Sequence, residues 1–524
     1  MEVISQEQDL VDIHRNETVA GPKLRLFCLV LFFVAVACTY LQWYPHDYRS
    51  FKVEDSGLFL HIGQRLTHGD VLYRDIADNK PPLIYWLNEF GLLLGHGSPG
   101  GVFLLCLAAG IFTFAVVYWG LRHYVGWPLF VIAGCWSQLA FLTCAFHPNY
   151  TESFALPLVA LAAVLFVREL LNGERITSYA LAQGALAALL FSLRANNIGI
   201  SIIYVVSLLL ELKKAGRFRQ LCLFAVAAVA VYGLLLVPLA LQGTLPDYYL
   251  YVFRMAGPYT AGTTIAARVH AFWHGVSLFD TSPLLYFSFA CAATAVLSRR
   301  HFARHIEALL WMAAWLALEM VMSSTSGYHW NHYYLLWILP LTVGLMLGGS
   351  ILFQRGSSPM LPVILAATLI LVVMNEAAMN LYRAWSYPRG EDPALTLARP
   401  FIRTGDRVTT WGYFYHDLWF DLDHRPGTRW FHEGAYTNRK IYQALLPMVL
   451  SDLEQNRPRV VIERRSMVPL FAPANPKQPL NDAFQPEYFE GWDDAAIAKR
   501  KANLAQHYYP VAEKSGVVVF LRRD

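Results

Sequence analysis

At 524 residues, with 56% hydrophobic and only 15% charged side chains and a mean hydropathy of +0.35, the chain carries more apolar surface than a water-soluble domain buries, which excludes an ordinary soluble enzyme. The formal net charge of +4 resides in short clusters at the ends of apolar runs, and no basic stripe interleaved with aromatics argues for nucleic acid. All seven cysteines, Cys28, Cys38, Cys106, Cys135, Cys144, Cys222 and Cys291, fall in apolar runs and read as small buried side chains rather than disulfides or metal ligands.

Residues 1–20 are polar, so 1–23 reads as a loose cytoplasmic tail. The run from Leu24 to Leu41 is too long for a signal-peptide core and lacks a small-residue cleavage site, so it should stay as a signal anchor. Apolar runs able to cross a hydrocarbon core of about 30 Å recur near 24–43, 101–121, 127–146, 152–170, 178–193, 197–212, 220–241, 283–298, 306–323, 332–353 and 359–376, about eleven spans. Positive charge clusters on alternate loops: Lys23 and Arg25; Arg122; Arg168 and Arg175; Lys213, Lys214, Arg217 and Arg219; Arg299, Arg300 and Arg304; and Arg355. Those loops are expected inside. Residues 44–100, 147–151, 194–196, 242–282, 324–331 and everything after Glu376 then face outward. The expected architecture is a polytopic α-helical inner (plasma) membrane protein: a transmembrane domain over 24–376, with a first outer loop at 44–100, followed by an extracytoplasmic domain over 377–524.

The first outer loop concentrates the chemistry. Leu58, Ile62 and Leu66 recur every four residues, which predicts a helix over 56–68 lying in the interface, its apolar stripe toward lipid or toward the bundle. Asp55 stands at the N-terminal edge of that helix. It is either an N-cap accepting backbone N–H bonds or a general base for an incoming hydroxyl; Glu54 beside it reads as solvated. Farther on, Tyr73-Arg74-Asp75 and Asp78-Asn79-Lys80-Pro81-Pro82 precede an apolar helix over 82–95. The prolines keep Lys80 out of helical geometry. An ammonium fixed there either attracts a phosphate, with Arg74 as a bidentate second contact, or snorkels at the interface.

Of the other outward residues, Asn149, Tyr150 and Glu152 occupy a tight loop, where a carboxylate either holds a sugar hydroxyl or caps the next helix. Asn149-Tyr150-Thr151 matches a glycosylation sequon, but so short a loop at the membrane is a poor acceptor. Arg194 opens the polar break Arg-Ala-Asn-Asn and binds phosphate or caps the preceding helix; phosphate is favoured. His329 and His332, with Tyr328, Tyr333 and Tyr334, resemble a metal cluster only superficially, and stacking on sugar or interfacial anchoring explains them as well. Glu319, near the outer end of a span, is costly enough in a membrane to suggest function, with a pairing role as the alternative. After Glu376, the β-branched runs 407–412, 459–463 and 516–521 and the helical spacing of 393–403, 438–455 and 493–507 predict an α/β domain without a phosphate-cradling glycine motif.

Asp55, the short amphipathic helix, Gly69-x-x-x-Tyr73-x-Asp75 and Lys80-Pro81-Pro82-x-x-Tyr85, in that order, resemble the first outer loop of the GT-C glycosyltransferases. The likeness is strongest to the bacterial family-39-like and family-83-like branch, which is related to protein O-mannosyltransferases and the lipid A aminoarabinose transferase. Looser likenesses extend over most of the chain: Leu193-Arg194-x-Asn196, His332-Tyr333 before Pro340, and Asp406-Arg407-Val408-x-x-Trp411-Gly412 with Thr428-Arg429. The resemblance implies a GT-C-like fold and inverting transfer of one sugar from a polyprenyl-phosphate donor to a hydroxyl of an envelope glycan, lipid or protein outside the membrane. It implies Asp55 as the catalytic base and Lys80 as a phosphate contact. Tyr73, Asp75, Asp78, Tyr85, Glu152, His329, His332 and Tyr333 are the candidates for sugar or acceptor, with Arg194 and Arg74 as further phosphate contacts. Where many relatives have Asp-Glu, this chain has Asp55-Ser56, which removes a second carboxylate. Divalent metal (Mg or Mn) assistance is compatible with the superfamily, though no ligand set in the sequence demands it. The alternative is a transporter or flippase of lipid-linked sugars, which would carry its polar groups near the midplane of two similar halves; a glycan-binding scaffold is a third reading. Here the polar groups sit at the outer ends, and no half-repeat is evident.

Overall fold

The apolar runs become helices, because a bilayer core offers backbone groups no partner but one another. The computed structural model describes residues 21–43, 54–257, 263–280, 282–297, 303–353, 360–386, 392–411, 417–431, 439–464, 502 and 505–523. Among the described residues, eight helical stretches are long and apolar enough to cross a membrane: Pro22–Leu41, Gly100–Leu121, Trp127–Cys144, Thr151–Asn172, Arg217–Leu241, Ala303–Ser324, Asn331–Leu352 and Met360–Arg383. The other three expected spans coincide with the shorter apolar helices Thr177–Leu193, Ala195–Leu210 and Leu284–Leu297. The last helix runs on as Met360–Ser386, past the expected end at 376. Residues 377–386 are mostly good helix formers, so the helix outlasts the apolar run.

The chain divides into two compact units: Met1–His46 with Phe103–Val237 and Thr263–Tyr387, and Asp47–Val102 with Pro238–Gly262 and Pro388–Asp524. The first outer loop, expected as part of the transmembrane domain, thus packs with the C-terminal residues. In the first unit, Leu284–Leu297 lies along Ile338–Phe353, and Met360–Ser386 lies along Pro22–Leu41 and Trp127–Cys144. Gly348 permits the first of these approaches, since a Cβ there would stand 2.9 Å from the backbone of Cys291.

In the second unit, the loop helix Glu54–Thr67 packs on Leu83–Leu94 and on Asp417–Leu422. Leu58 and Ile62 are buried, but so are Phe59, Leu60 and His61. The helix is therefore enclosed, not laid in the interface with one apolar face as expected. His61 closes one side, its ring 5.6 Å from Trp419 and 4.8 Å from Phe431. Sequence periodicity could not show this, because the covering helix Asp417–Leu422 comes from the far end of the chain and was not predicted.

A four-stranded sheet completes this unit: β1 Val408–Trp411, β2 Val460–Arg464, β3 Tyr508–Lys514 and β4 Val517–Arg522, in the order β1-β2-β4-β3. β1 and β2 are parallel, Val408 facing Val460, and the helix Arg439–Asn456 intervenes between them in sequence, as a parallel pair requires. β2–β4 and β4–β3 are antiparallel. Ser515 and Gly516 both have positive φ (50° and 77°), the backbone a two-residue hairpin turn needs. β3 was not expected, because its exposed edge alternates too weakly. The predicted helix over 493–507 falls mostly outside the described residues.

Candidate active site

The predicted helix start shifts by two residues. Because the helix begins at Glu54, Asp55 lies inside its first turn instead of before it, so it is not the N-cap; a first-turn carboxylate is still favoured by the helix dipole. Lys80 stands in the non-helical stretch before Leu83–Leu94, as its two prolines require. Gly63 brings the two helices together: a Cβ there would meet the backbone N of Glu89 at 2.8 Å and the carbonyl carbon of Asn88 at 2.9 Å.

This close packing sets Lys80 Nζ 3.5 Å from an Oδ of Asp55 and 3.5 Å from an Oδ of Asp78. The ammonium also lies 5.0 Å from the centroid of the Phe59 ring. The two carboxylates are not equivalent: the Asp78 side chain is 1% exposed and that of Asp55 28%. Tyr85 donates its hydroxyl to Asp78 at 2.7 Å, and burial, reinforced by that carboxylate, pushes the Tyr85 phenol well up. Tyr73 donates to the Lys80 carbonyl oxygen at 2.7 Å. Both tyrosine rings are fully buried, so these hydroxyls hold Lys80 and Asp78 in place. Tyr73 does so from a left-handed backbone, φ 68°, a strained conformation for a bulky residue.

The 70–76 turn carries Arg74 and Asp75 outward. Arg74 is paired with Asp75 at 3.1 Å and is half exposed. Burial opposes ionisation of Asp75, but the Arg74 guanidinium, the Val71 N–H at 2.8 Å and the charge of Arg425 still hold its carboxyl below the usual range. Arg74 therefore already has an anion partner. Behind the turn, the Arg429 carbonyl accepts from Ala77 N–H at 2.8 Å, and the Arg429 guanidinium forks onto Asp452 at 2.9–3.2 Å.

In the membrane-helix unit, four other candidates come together: Arg194, Glu152, His332 and Tyr333. Arg194 ends Thr177–Leu193, its guanidinium paired with Glu152 and 4.1 Å from the centroid of the Tyr333 ring. Glu152 is buried in the first turn of Thr151–Asn172 and also accepts from the Thr151 hydroxyl at 2.7 Å. His332 stacks on Tyr150 at 4.2 Å, and Tyr150 on His147 at 3.8 Å. The His329 ring packs 5.0 Å from His270 and 5.1 Å from His274. The two histidines of the His-x-x-His pattern thus pack on different rings. Glu319 accepts from Trp315 Nε1 at 2.8 Å, the pairing expected of a buried acid, though with an indole in place of a histidine or arginine. Among the described residues, no group of three or more His, Cys, Asp or Glu is set to hold a metal ion.

Sequence reasoning missed Phe59 beneath Lys80 and the aromatic residues Tyr248, Tyr251 and Trp430 behind Tyr73. Thr428-Arg429 lies next to Trp430 in sequence, and no local pattern joins Phe59, Tyr248, Tyr251 and Trp430.

Comparison with protein-family models and with curated proteins finds no match. Among solved structures, the chain is similar to ArnT from Cupriavidus metallidurans bound to undecaprenyl phosphate, with a TM-score of 0.57, 14% identity, and 95% of this chain and 97% of that one covered. It is also similar to the Archaeoglobus fulgidus oligosaccharyltransferase in complex with Zn and sulfate, with a TM-score of 0.50, 14% identity, and 83% of this chain and 68% of that one covered. At 14% identity the likeness is one of fold: this chain shares the fold of the ArnT structure over 95% of its length.

Proposed function

We propose that the protein is a glycosyltransferase that moves a single sugar from a polyprenyl-phosphate donor to a hydroxyl of an envelope glycan, lipid or protein on the outer face of the inner membrane, with inversion. The observation that carries this reading is the Asp55–Lys80–Asp78 constellation: a partly exposed carboxylate 3.5 Å from an ammonium that a buried carboxylate anchors from behind. Lys80 offers the donor phosphate a charge-assisted contact. As the phosphate draws the ammonium, Asp55 is left to act as general base. The acceptor oxygen bonds to the anomeric carbon, its proton passes to an Asp55 Oδ, and the carbon–oxygen bond to phosphate breaks with its electron pair on the phosphate. Phosphate is a good leaving group, so no strong acid is needed. The transfer uses Asp55 and Lys80, while Asp78, Tyr73 and Tyr85 keep Lys80 in position. In the membrane-helix unit, Arg194, backed by Glu152 and Tyr333, is an anion-binding candidate in its own right.

The test is Asp55→Asn, which preserves size and polarity but cannot take a proton. With purified protein and a panel of radiolabelled polyprenyl-phosphate sugars, transfer should fall by roughly 10²–10⁴ while donor binding persists, and Glu54→Gln should show no comparable loss. Near-normal transfer by well-folded Asp55→Asn would refute the base assignment.

A further inference from the structure

Lys80 is bound from behind as well as from the side. Its carbonyl is held by Tyr73, and the Tyr73 ring is itself the first member of a buried aromatic stack. Tyr251 lies 6.3 Å from Tyr73 at an interplanar angle of 19°, and Trp430 lies 5.6 Å from Tyr251 at 29°. Tyr248 tilts against Tyr73 at 5.4 Å. Tyr73, Tyr251 and Trp430 are at most 1% exposed. They come from three chain segments: the first outer loop, the 245–254 turn and the C-terminal domain. Tyr251 belongs to a π-helical turn, Tyr249–Arg254, an irregularity that costs backbone hydrogen-bond geometry and is often found at functional sites. Its hydroxyl donates to Met448 Sδ at 2.7 Å, on the helix whose Asp452 grips Arg429.

We infer that Tyr251 is a positioning residue for Lys80, transmitting the placement of the C-terminal domain through Trp430, Tyr251 and Tyr73 to the ammonium that receives the donor phosphate. Two features support this over a purely packing role. Tyr73 sits at positive φ, a conformation that persists only where its surroundings over-determine it, and the ring stack clamps it together with the Tyr73 N–H bond to the Ile76 carbonyl at 2.7 Å. The Tyr73 hydroxyl donates to the Lys80 carbonyl at 2.7 Å, so a tilt of the Tyr73 ring moves the Lys80 backbone directly. Nothing in the stack carries charge. Its effect must therefore appear in how well Lys80 engages an anion and not in a new anion contact.

This inference rests on Lys80 as the phosphate contact, and one experiment separates the two claims. Undecaprenyl phosphate binding is measured on the full chain in nanodiscs for the parent, Lys80→Gln, Tyr251→Leu, Tyr251→Phe and the Lys80→Gln/Tyr251→Leu double variant, with thermal midpoints recorded alongside. The expected result is about tenfold weaker binding for Lys80→Gln, the equivalent of one charge-assisted hydrogen bond. Tyr251→Leu should show a loss of similar size, Tyr251→Phe should bind as the parent does, and the double variant should be no weaker than Lys80→Gln, because residues acting through one contact are non-additive. Parent-like binding by Lys80→Gln overturns the phosphate assignment. Weakened Lys80→Gln with parent-like Tyr251→Leu, or with losses that add in the double variant, overturns the positioning role alone. If Tyr251→Leu does not fold, Tyr251→Trp, which keeps an aromatic face of different size, is scored by the same additivity criterion.

Discussion

Removing the Lys80 ammonium tests whether Asp78 is held as a buried anion. In Lys80→Ala, the 1%-exposed carboxylate of Asp78 loses its cation at 3.5 Å and keeps the Tyr85 hydroxyl. Breaking a buried pair from one side costs about 3–5 kcal/mol. Lys80 is itself 17% exposed and the Tyr85 bond survives, so the lower end, about 3 kcal/mol, is expected. The partner on the other side contributes little, because Asp55 is 28% exposed and such pairs are worth about 0–1 kcal/mol. The two sides can therefore be told apart by compensation. Adding Asp78→Asn to Lys80→Ala removes the stranded charge while leaving an oxygen for Tyr85 to donate to, and should restore most of the lost stability; adding Asp55→Asn should restore almost none. The assay is the denaturation midpoint of the full chain in detergent, read by two probes to check that the transition is cooperative. Parent-like stability of Lys80→Ala, or equal compensation by Asp55→Asn, would show that Asp78 is not the buried anchor.

Three further outcomes follow from the geometry. Gly63→Ala forces a Cβ to within 2.8 Å of the Glu89 backbone, so the two loop helices must part; a loss of about 1–3 kcal/mol is expected in the same unfolding assay, with weakened transfer because Asp55 lies on one helix and Lys80 in the stretch that leads into the other. Burial raises the Asp247 carboxyl despite the pull of Arg429 and Arg74. A folded value above the unfolded one favours folding only while the group is protonated, and that advantage is lost as pH rises through the raised value. Asp247→Asn should therefore increase the thermal midpoint at neutral pH and leave it unchanged near pH 3, below the unfolded value of about 3.9; equal effects at both would refute the burial argument. In a cysteine-free background, Arg425→Cys and Arg74→Cys should react with an impermeant maleimide from outside and Lys214→Cys should not, as the charge pattern of the loops requires. Labelling of Lys214→Cys alone would place the proposed site on the wrong side of the membrane.

What the sequence determined by itself is everything that depends on local composition. Long apolar runs must be helices in lipid, so the spans were legible to within a few residues, except where Met360–Ser386 continued on good helix formers beyond its apolar stretch. The two prolines after Lys80 placed that lysine outside a helix, and the β-branched runs at Val408, Val460 and Val517 became strands. The remaining strand, β3 at Tyr508–Lys514, has half-exposed alternation and depends on pairing with β4, so its own residues did not reveal it. Only the tertiary structure decided which groups meet. Asp78, read as a sugar or acceptor contact, is instead buried behind Lys80, and Tyr73 and Tyr85 turn their hydroxyls inward to the same two residues. Glu152 finds Arg194 across 42 positions of sequence, and His329 and His332 pack on different rings. The enclosure of the loop helix by Trp419 and Phe431, more than 350 residues away, has no local signature. The physical reason is range: hydropathy and backbone preference act within a few residues, whereas ion pairs and ring stacks are fixed by packing between segments whose separation along the chain carries no information about their separation in space.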